Sequence, residues 1–173
     1  NRIWHHVFGR GIVSTVDNFG ALGETPTHPE LLDHLAHQFI HQDNWSVKQL
    51  LRRILLSQTY RMDSYPYDLN TEEQDPENKL LHRMPLRRLE GEAFYDAILS
   101  VSGRLDRKIG GPPVPVHLTE FVVGRGSPEK SGPVDNAGRR SIYTVRRRNF
   151  IPTLLLNFDM PIPFSTVGKR NVT

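Results

Sequence analysis

The stretch Leu86-Arg-Arg-Leu-Glu-Gly-Glu-Ala-Phe-Tyr-Asp-Ala-Ile-Leu-Ser-Val-Ser-Gly103 constrains the chain more than any other. On a helix at about 100° per residue, Leu86, Leu89, Ala93, Ala97, Ile98 and Val101 share one side, the pattern of a core-facing helix. Gly103 stands where a left-handed C-terminal cap is wanted. Glu90 breaks the pattern, one turn after Leu86 and one before Phe94, inside the apolar stripe. A carboxylate buried alone is costly, so Glu90 demands cations or hydrogen-bond donors there. The expectation is that arginines from distant parts of the chain converge on it. Glu90 is accordingly expected to matter more for stability than Glu92.

The arginine content agrees with that expectation. Arg outnumbers Lys 17 to 5, and arginine suits planar, two-pronged pairing with carboxylates. At 173 residues the chain is the size of one domain with room for a core. Its 13 Gly and 13 Pro imply long irregular connections. The lack of cysteine excludes disulfides, thiolate zinc sites and covalent c-type haem attachment within these residues. No run of about 18 apolar residues exists, so no segment reads as a membrane span. The opening Asn1-Arg-Ile-Trp, without Met, reads as a piece cut from a longer polypeptide.

In chain order, residues 1–9 read as the end of a helix stopped by Gly9. Thr27-His-Pro-Glu30 is a helix start, with Thr27 as cap and Pro29 in the first turn. Leu31, Leu32, Leu35, Ala36 and Phe39 then share one side, and His34, His37 and His41 the other. Ser46-Val-Lys-Gln49 starts a second amphipathic helix carrying Val47, Leu50, Leu51, Ile54 and Leu55. Two such helices joined by about five residues should pack as a hairpin. Residues 61–78 read as a surface loop, with a short helical segment from Asp75 through Leu81. Residues 104–138 are rich in Gly and Pro, a strand is plausible over 116–123 and over 139–148, and 152–158 read as a short helix. The predicted fold is therefore mainly α. A hairpin (28–41 and 46–60) and a long third helix (86–102) form one helical domain over 1–173. An irregular Pro/Gly-rich segment wraps back over it, with a few short strands between 116 and 147.

Several pieces in this order carry a resemblance. They are N-R-x-W with F-G-R-G-I-V, G-E-x-P-x-H-P-E-L-L (Gly23 to Leu32) and S-x-x-Y-R (Ser57 to Arg61). R-R-L-E-x-E (Arg87 to Glu92), R-R-S-I-Y (Arg139 to Tyr143), F-D-x-P (Phe158 to Pro161) and a final R-N-V-T follow. Together the chain resembles the planctomycete domain of unknown function found C-terminal to cytochrome-c-like modules in large exported proteins. The resemblance implies an extracytoplasmic multidomain protein, periplasmic or at the cell surface. Any c-type haem would lie in upstream domains and no cofactor in this chain, which would be truncated at both ends. The implied partners are neighbouring domains of the same polypeptide, including the cytochrome-c-like modules. The resemblance carries no catalytic residues. Tyr95 departs from it, because the family usually has Arg there, one ion-pair partner fewer.

Three groups of residues invite a site. Arg87, Arg88 and Glu90, with Arg139, Arg140 and Asp159, make a candidate polar cluster. It reads either as a salt-bridge network or as a pocket for an acidic polysaccharide. Glu24, His28 and Glu30 gather near a helix N-terminus, where backbone N–H groups bind anions and Glu24 with His28 would form an acid–base pair; capping is the simpler account. His34, His37 and His41 have the spacing of metal ligands, but they lie opposite the leucines and read as a solvated face, so no metal is assigned. His5 and His6 diverge by about 100° and do not chelate together. The five arginines of 139–148 suggest nucleic acid, a reading disfavoured by a net charge of only +3 and by the absence of any nucleic-acid motif. The leading expectation is a structural or interaction module of a redox protein.

Overall fold

The computed structural model describes residues 1–119, 124–161, 163, 164 and 170. They fall into two compact units, Asn1–Arg87 and Arg88–Thr173. The fold is mainly helical, and no sheet is present among the described residues.

The first unit holds α1 (Arg2–Phe8), α2 (Pro29–His41), α3 (Val47–Leu55) and α4 (Leu69–Gln74). Gly9 ends α1 at φ 84°, its N–H donating to His5 O at 2.7 Å, as expected of a glycine stop. Asn1 pins the next segment: its Nδ2 donates to Val13 O at 3.0 Å and its Oδ1 accepts from Val13 N at 2.9 Å. The core joins Trp4 and Phe8 of α1 to Ile12 and to Leu50 and Ile54 of α3, with Leu31, Leu32, Leu35 and Phe39 of α2 packed against it. With Leu31, Leu32, Leu35 and Phe39 of one stripe and Leu50 and Ile54 of the other meeting the core, while Ala36, Val47 and Leu55 are exposed, the hairpin of α2 and α3 is thus present. Its turn is fastened by Arg53, 2.6 Å from the buried Asp43 carboxylate.

Three local expectations in this unit are corrected. Thr27 does not cap α2: its hydroxyl donates to Ile12 O at 3.2 Å, and His28 occupies the cap position. The second helix stops at Leu55, not residue 60. Ser57 Oγ donates to Ile54 O at 2.6 Å, a side-chain bond that competes with helical pairing, and the chain tightens to a 3-10 turn at Thr59–Arg61. The 61–78 loop contains α4, started by Asp68, whose Oδ1 accepts from Asn70 N at 3.0 Å. The helical segment expected from Asp75 is a set of turns. Asn78 and Leu81 take left-handed φ values of 51° and 57°, while the Asp75 carboxylate collects the Lys79 and Leu80 N–H groups.

The second unit holds α5 (Gly91–Val101), 3-10 turns at Asn136–Gly138 and Ser141–Tyr143, and α6 (Thr153–Leu156). The expected strands reduce to isolated bridges, Asp106 with Arg139, Val114 with Thr144 and Arg147 with Phe150. Residues 120–123 of the first expected strand, and Asn171 to Thr173 of the final motif, lie outside the described residues. Gly103, at φ 71°, lets Arg104 N and Leu105 N return to Leu99 O at 2.9 and 3.0 Å, the expected stop.

The long third helix is shorter than its pattern suggests and turned differently. It begins at Gly91, and Glu90 is its extended N-cap (φ −66°, ψ 151°). Arg87, at the end of the first unit, donates through Nη1 to the His6 and Val7 carbonyls at 2.5 and 3.2 Å. The stripe Leu89, Ala93, Ile98 and Val101 faces outward, with Val101 90% exposed. Gly91 and Leu99 are the buried residues. A glycine decides this: a Cβ on Gly91 would stand 3.0 Å from both Leu155 and Phe158, so the bare backbone receives α6 closely. Phe94 stacks on Phe158 at 5.0 Å beside that contact.

Candidate functional site

The inward side of α5 carries Glu92 and Asp96 one turn apart, and both are engaged. Glu92 Oε1 lies 2.7 Å from Arg146 Nη2, and its Oε2 lies 2.6 Å from Arg170 Nη1. Arg170 also reaches Glu90 Oε2 at 3.4 Å and donates through Nη2 to Phe158 O at 3.1 Å. Side-chain exposure is 12% for Arg170, 22% for Glu92 and 39% for Glu90, so Glu92 is the enclosed carboxylate. Burial pushes the Glu92 carboxyl up, but the hydrogen bonds from Arg146 and Arg170 outweigh it and hold the group below its ordinary range. One turn on, Asp96 Oδ1 accepts from Ser141 N at 2.7 Å, and Oδ2 lies 3.3 Å from Arg140 Nε. Arginines from distant sequence do gather at the start of α5: Glu90 shares Arg170 at 3.4 Å, while the shorter contacts go to Glu92 and Asp96.

The residues of the expected polar cluster make the following contacts. Arg87 binds the carbonyls at the end of α1. Arg88 lies 4.6 Å over the Phe158 ring. Arg139 is buried, donating to Gly110 O at 2.7 Å, 4.1 Å from the Tyr143 ring and 3.9 Å from Asp106. Arg140 pairs with Asp96, and Asp159 sits in the left-handed turn after α6 at φ 52°. Glu90 touches Arg170 at 3.4 Å. The residues missed, Glu92, Asp96, Arg146 and Arg170, left one legible signal, the i, i+4 spacing of Glu92 and Asp96 on a single helix face.

The second group does not converge either. Glu24 accepts from the Ser14 hydroxyl, His28 Nδ1 meets Thr27 Oγ1 at 2.9 Å, and Glu30 is exposed in the first turn of α2. On α2 the His37 and His41 rings lie 4.5 Å apart, and His5 and His6 meet edge-on at 5.5 Å. Among the described residues no three His, Asp or Glu side chains come together as metal ligands. No helix is long and apolar enough to cross a membrane, among the described residues.

Two surfaces of the second unit are candidates in addition to the arginine-walled cleft of Arg146, Arg147 and Arg148. One is the outward apolar face of α5, and the other is a cleft on its inward side beside Tyr95. Charge is uneven along the chain. Residues 88–173 carry 13 Lys and Arg against 8 Asp and Glu, while residues 1–87 carry 9 against 11.

No curated protein and no solved structure matches the chain. The family model of PSD1, described as a protein of unknown function (DUF1553), matches residues 1–173, and the chain belongs to that family.

Proposed function

We propose that this chain is a non-catalytic structural or interaction module of a larger exported redox protein. It docks through the outer face of α5 on a neighbouring domain of the same polypeptide, a cytochrome-c-like module. The observation that carries the reading is the outward stripe Leu89, Ala93, Ile98 and Val101, which a free-standing helix would bury. The ionic side of the same helix is already occupied by Arg146, Arg170 and Arg140, which leaves the apolar side for a partner. The partner's class and the extracytoplasmic setting come from the sequence resemblance. A photo-crosslinking residue in place of Ile98, in the full-length polypeptide, tests this. The expected product joins position 98 to a haem-bearing domain outside these 173 residues. Products confined to the chain itself would contradict it.

A second reading, recognition of an acidic polysaccharide, draws on a cleft of about 250 Å³ walled by Arg146, Arg147, Arg148 and Phe150. Heparin binding that weakens with salt and with Arg148→Ala would favour it.

A further inference from the structure

On α2, His37 and His41 stand one turn apart, their ring centres 4.5 Å from each other and their planes inclined at 44°. Side chains at i and i+4 share one helix face, so helical geometry alone keeps the two imidazoles together. Both residues are exposed, so their rings are open to solvent and turn without disturbing a core contact. The helix meets the core through Leu31, Leu32, Leu35 and Phe39 instead.

The separation of the rings has a specific meaning for a shared metal ion. Metal–imidazole bonds are about 2.0–2.1 Å long, so two rings bound at about 90° on one ion have centres roughly 4.5 Å apart. At the tetrahedral angle the centres would stand roughly 5.2 Å apart. The observed 4.5 Å is the right-angled value, which suits tetragonal copper(II) or nickel(II) better than tetrahedral zinc(II). The surroundings suit a dication as well. Along Pro29–His41 the acids are Glu30 and Asp33, and there is no Lys or Arg. His41 closes the helix, at the negative end of its dipole.

We propose that His37 and His41 form a two-histidine binding site for copper(II). Of the two ions that the geometry admits, copper(II) binds nitrogen ligands more tightly. No third His, Asp or Glu joins the pair among the described residues, so water fills the remaining positions on the ion. The site lies within the first unit and does not depend on the docking reading.

Copper(II) and zinc(II) chloride, titrated calorimetrically into the full 173-residue chain near neutral pH, test it. Copper(II) should bind with a dissociation constant on the order of 10 µM, and zinc(II) at least about 10-fold more weakly. His37→Gln and His41→Gln should each weaken copper(II) binding about 10-fold or more, because a single imidazole loses the gain from linking two. Both positions are exposed, so the melting temperature without metal should stay unchanged in these variants. His34→Gln, and the pair His5→Gln and His6→Gln, should leave copper(II) binding as it is. In NMR spectra copper(II) should broaden the His37 and His41 ring signals before those of His5 and His6. No copper(II) binding at about 1 mM, binding that survives both His37→Gln and His41→Gln, or zinc(II) binding as tight as that of copper(II) would overturn the proposal.

Discussion

Arg170 Nη1 sits 2.6 Å from the Glu92 carboxylate. That guanidinium is nearly enclosed, and Glu92 gives it two-sided support together with Phe158 O. Glu92→Ala should therefore destabilise the fold by about 1–3 kcal/mol, the cost of leaving a partner unsatisfied. Glu90→Ala should cost less than about 1 kcal/mol, because its contact is longer and its side chain more exposed. Chemical denaturation of both variants checks the order. A larger loss for Glu90→Ala would restore the reading in which Glu90 is the enclosed carboxylate.

The same pair implies a pH dependence. The folded Glu92 carboxyl lies below its ordinary value of 4.5, so the unfolded chain takes up the proton first as pH falls. The stability due to ionised Glu92 is complete above about pH 4.5 and is lost as pH drops through the folded value. Glu92→Gln should flatten the fall in melting temperature over roughly pH 3–5. A residual slope should persist from Glu72, held low by its hydrogen bond from Arg83. A Glu92→Gln profile parallel to the parent's would contradict this.

Gly132 allows two segments of the second unit to meet. A Cβ there would stand 1.8 Å from Pro115 O, an impossible approach. Gly132→Ala should cost about 1–3 kcal/mol through overpacking. It should also weaken the His117–Gly132 hydrogen bond, which a shift of the His117 ring signals would report. An unchanged melting temperature would mean that the two segments are not held together at this point.

Two apolar residues from helices of similar pattern should behave in opposite ways. Phe8, 2% exposed among Trp4, Leu50 and Tyr60, should cost about 3–5 kcal/mol when cut to alanine. Val101→Ser, on the outward face of α5, should stay within about 0.5 kcal/mol in the isolated chain. A Val101→Ser loss as large as that of Phe8→Ala would place the α5 stripe in a core.

Much of the first unit was legible because each signal there is local and uncontested. Gly9 supplies the left-handed stop of α1, and Ser46 accepts from Gln49 N at the start of α3. Leu31, Leu32 and Leu35 of α2 and Leu50 of α3 pack at one core, so periodicity and packing agree for them, while Leu55 and Val47 stay exposed. Thr27 misled because its hydroxyl found a long-range acceptor, Ile12 O, fifteen residues back.

In the second unit the sequence by itself determined that a helix ends at Gly103, that another lies between 152 and 158, and that arginines must answer carboxylates. Tertiary structure decided which carboxylates and which face. Periodicity ranks the sides of a helix by side-chain hydrophobicity alone. On α5 the choice went to the side with Gly91, because a residue with no side chain admits Leu155 and Phe158 at contact distance. Guanidinium groups arriving from positions 140, 146 and 170 then satisfied the acids on that side. Partners 44 to 78 residues away leave no trace in a local pattern, and so the apolar stripe was left facing out.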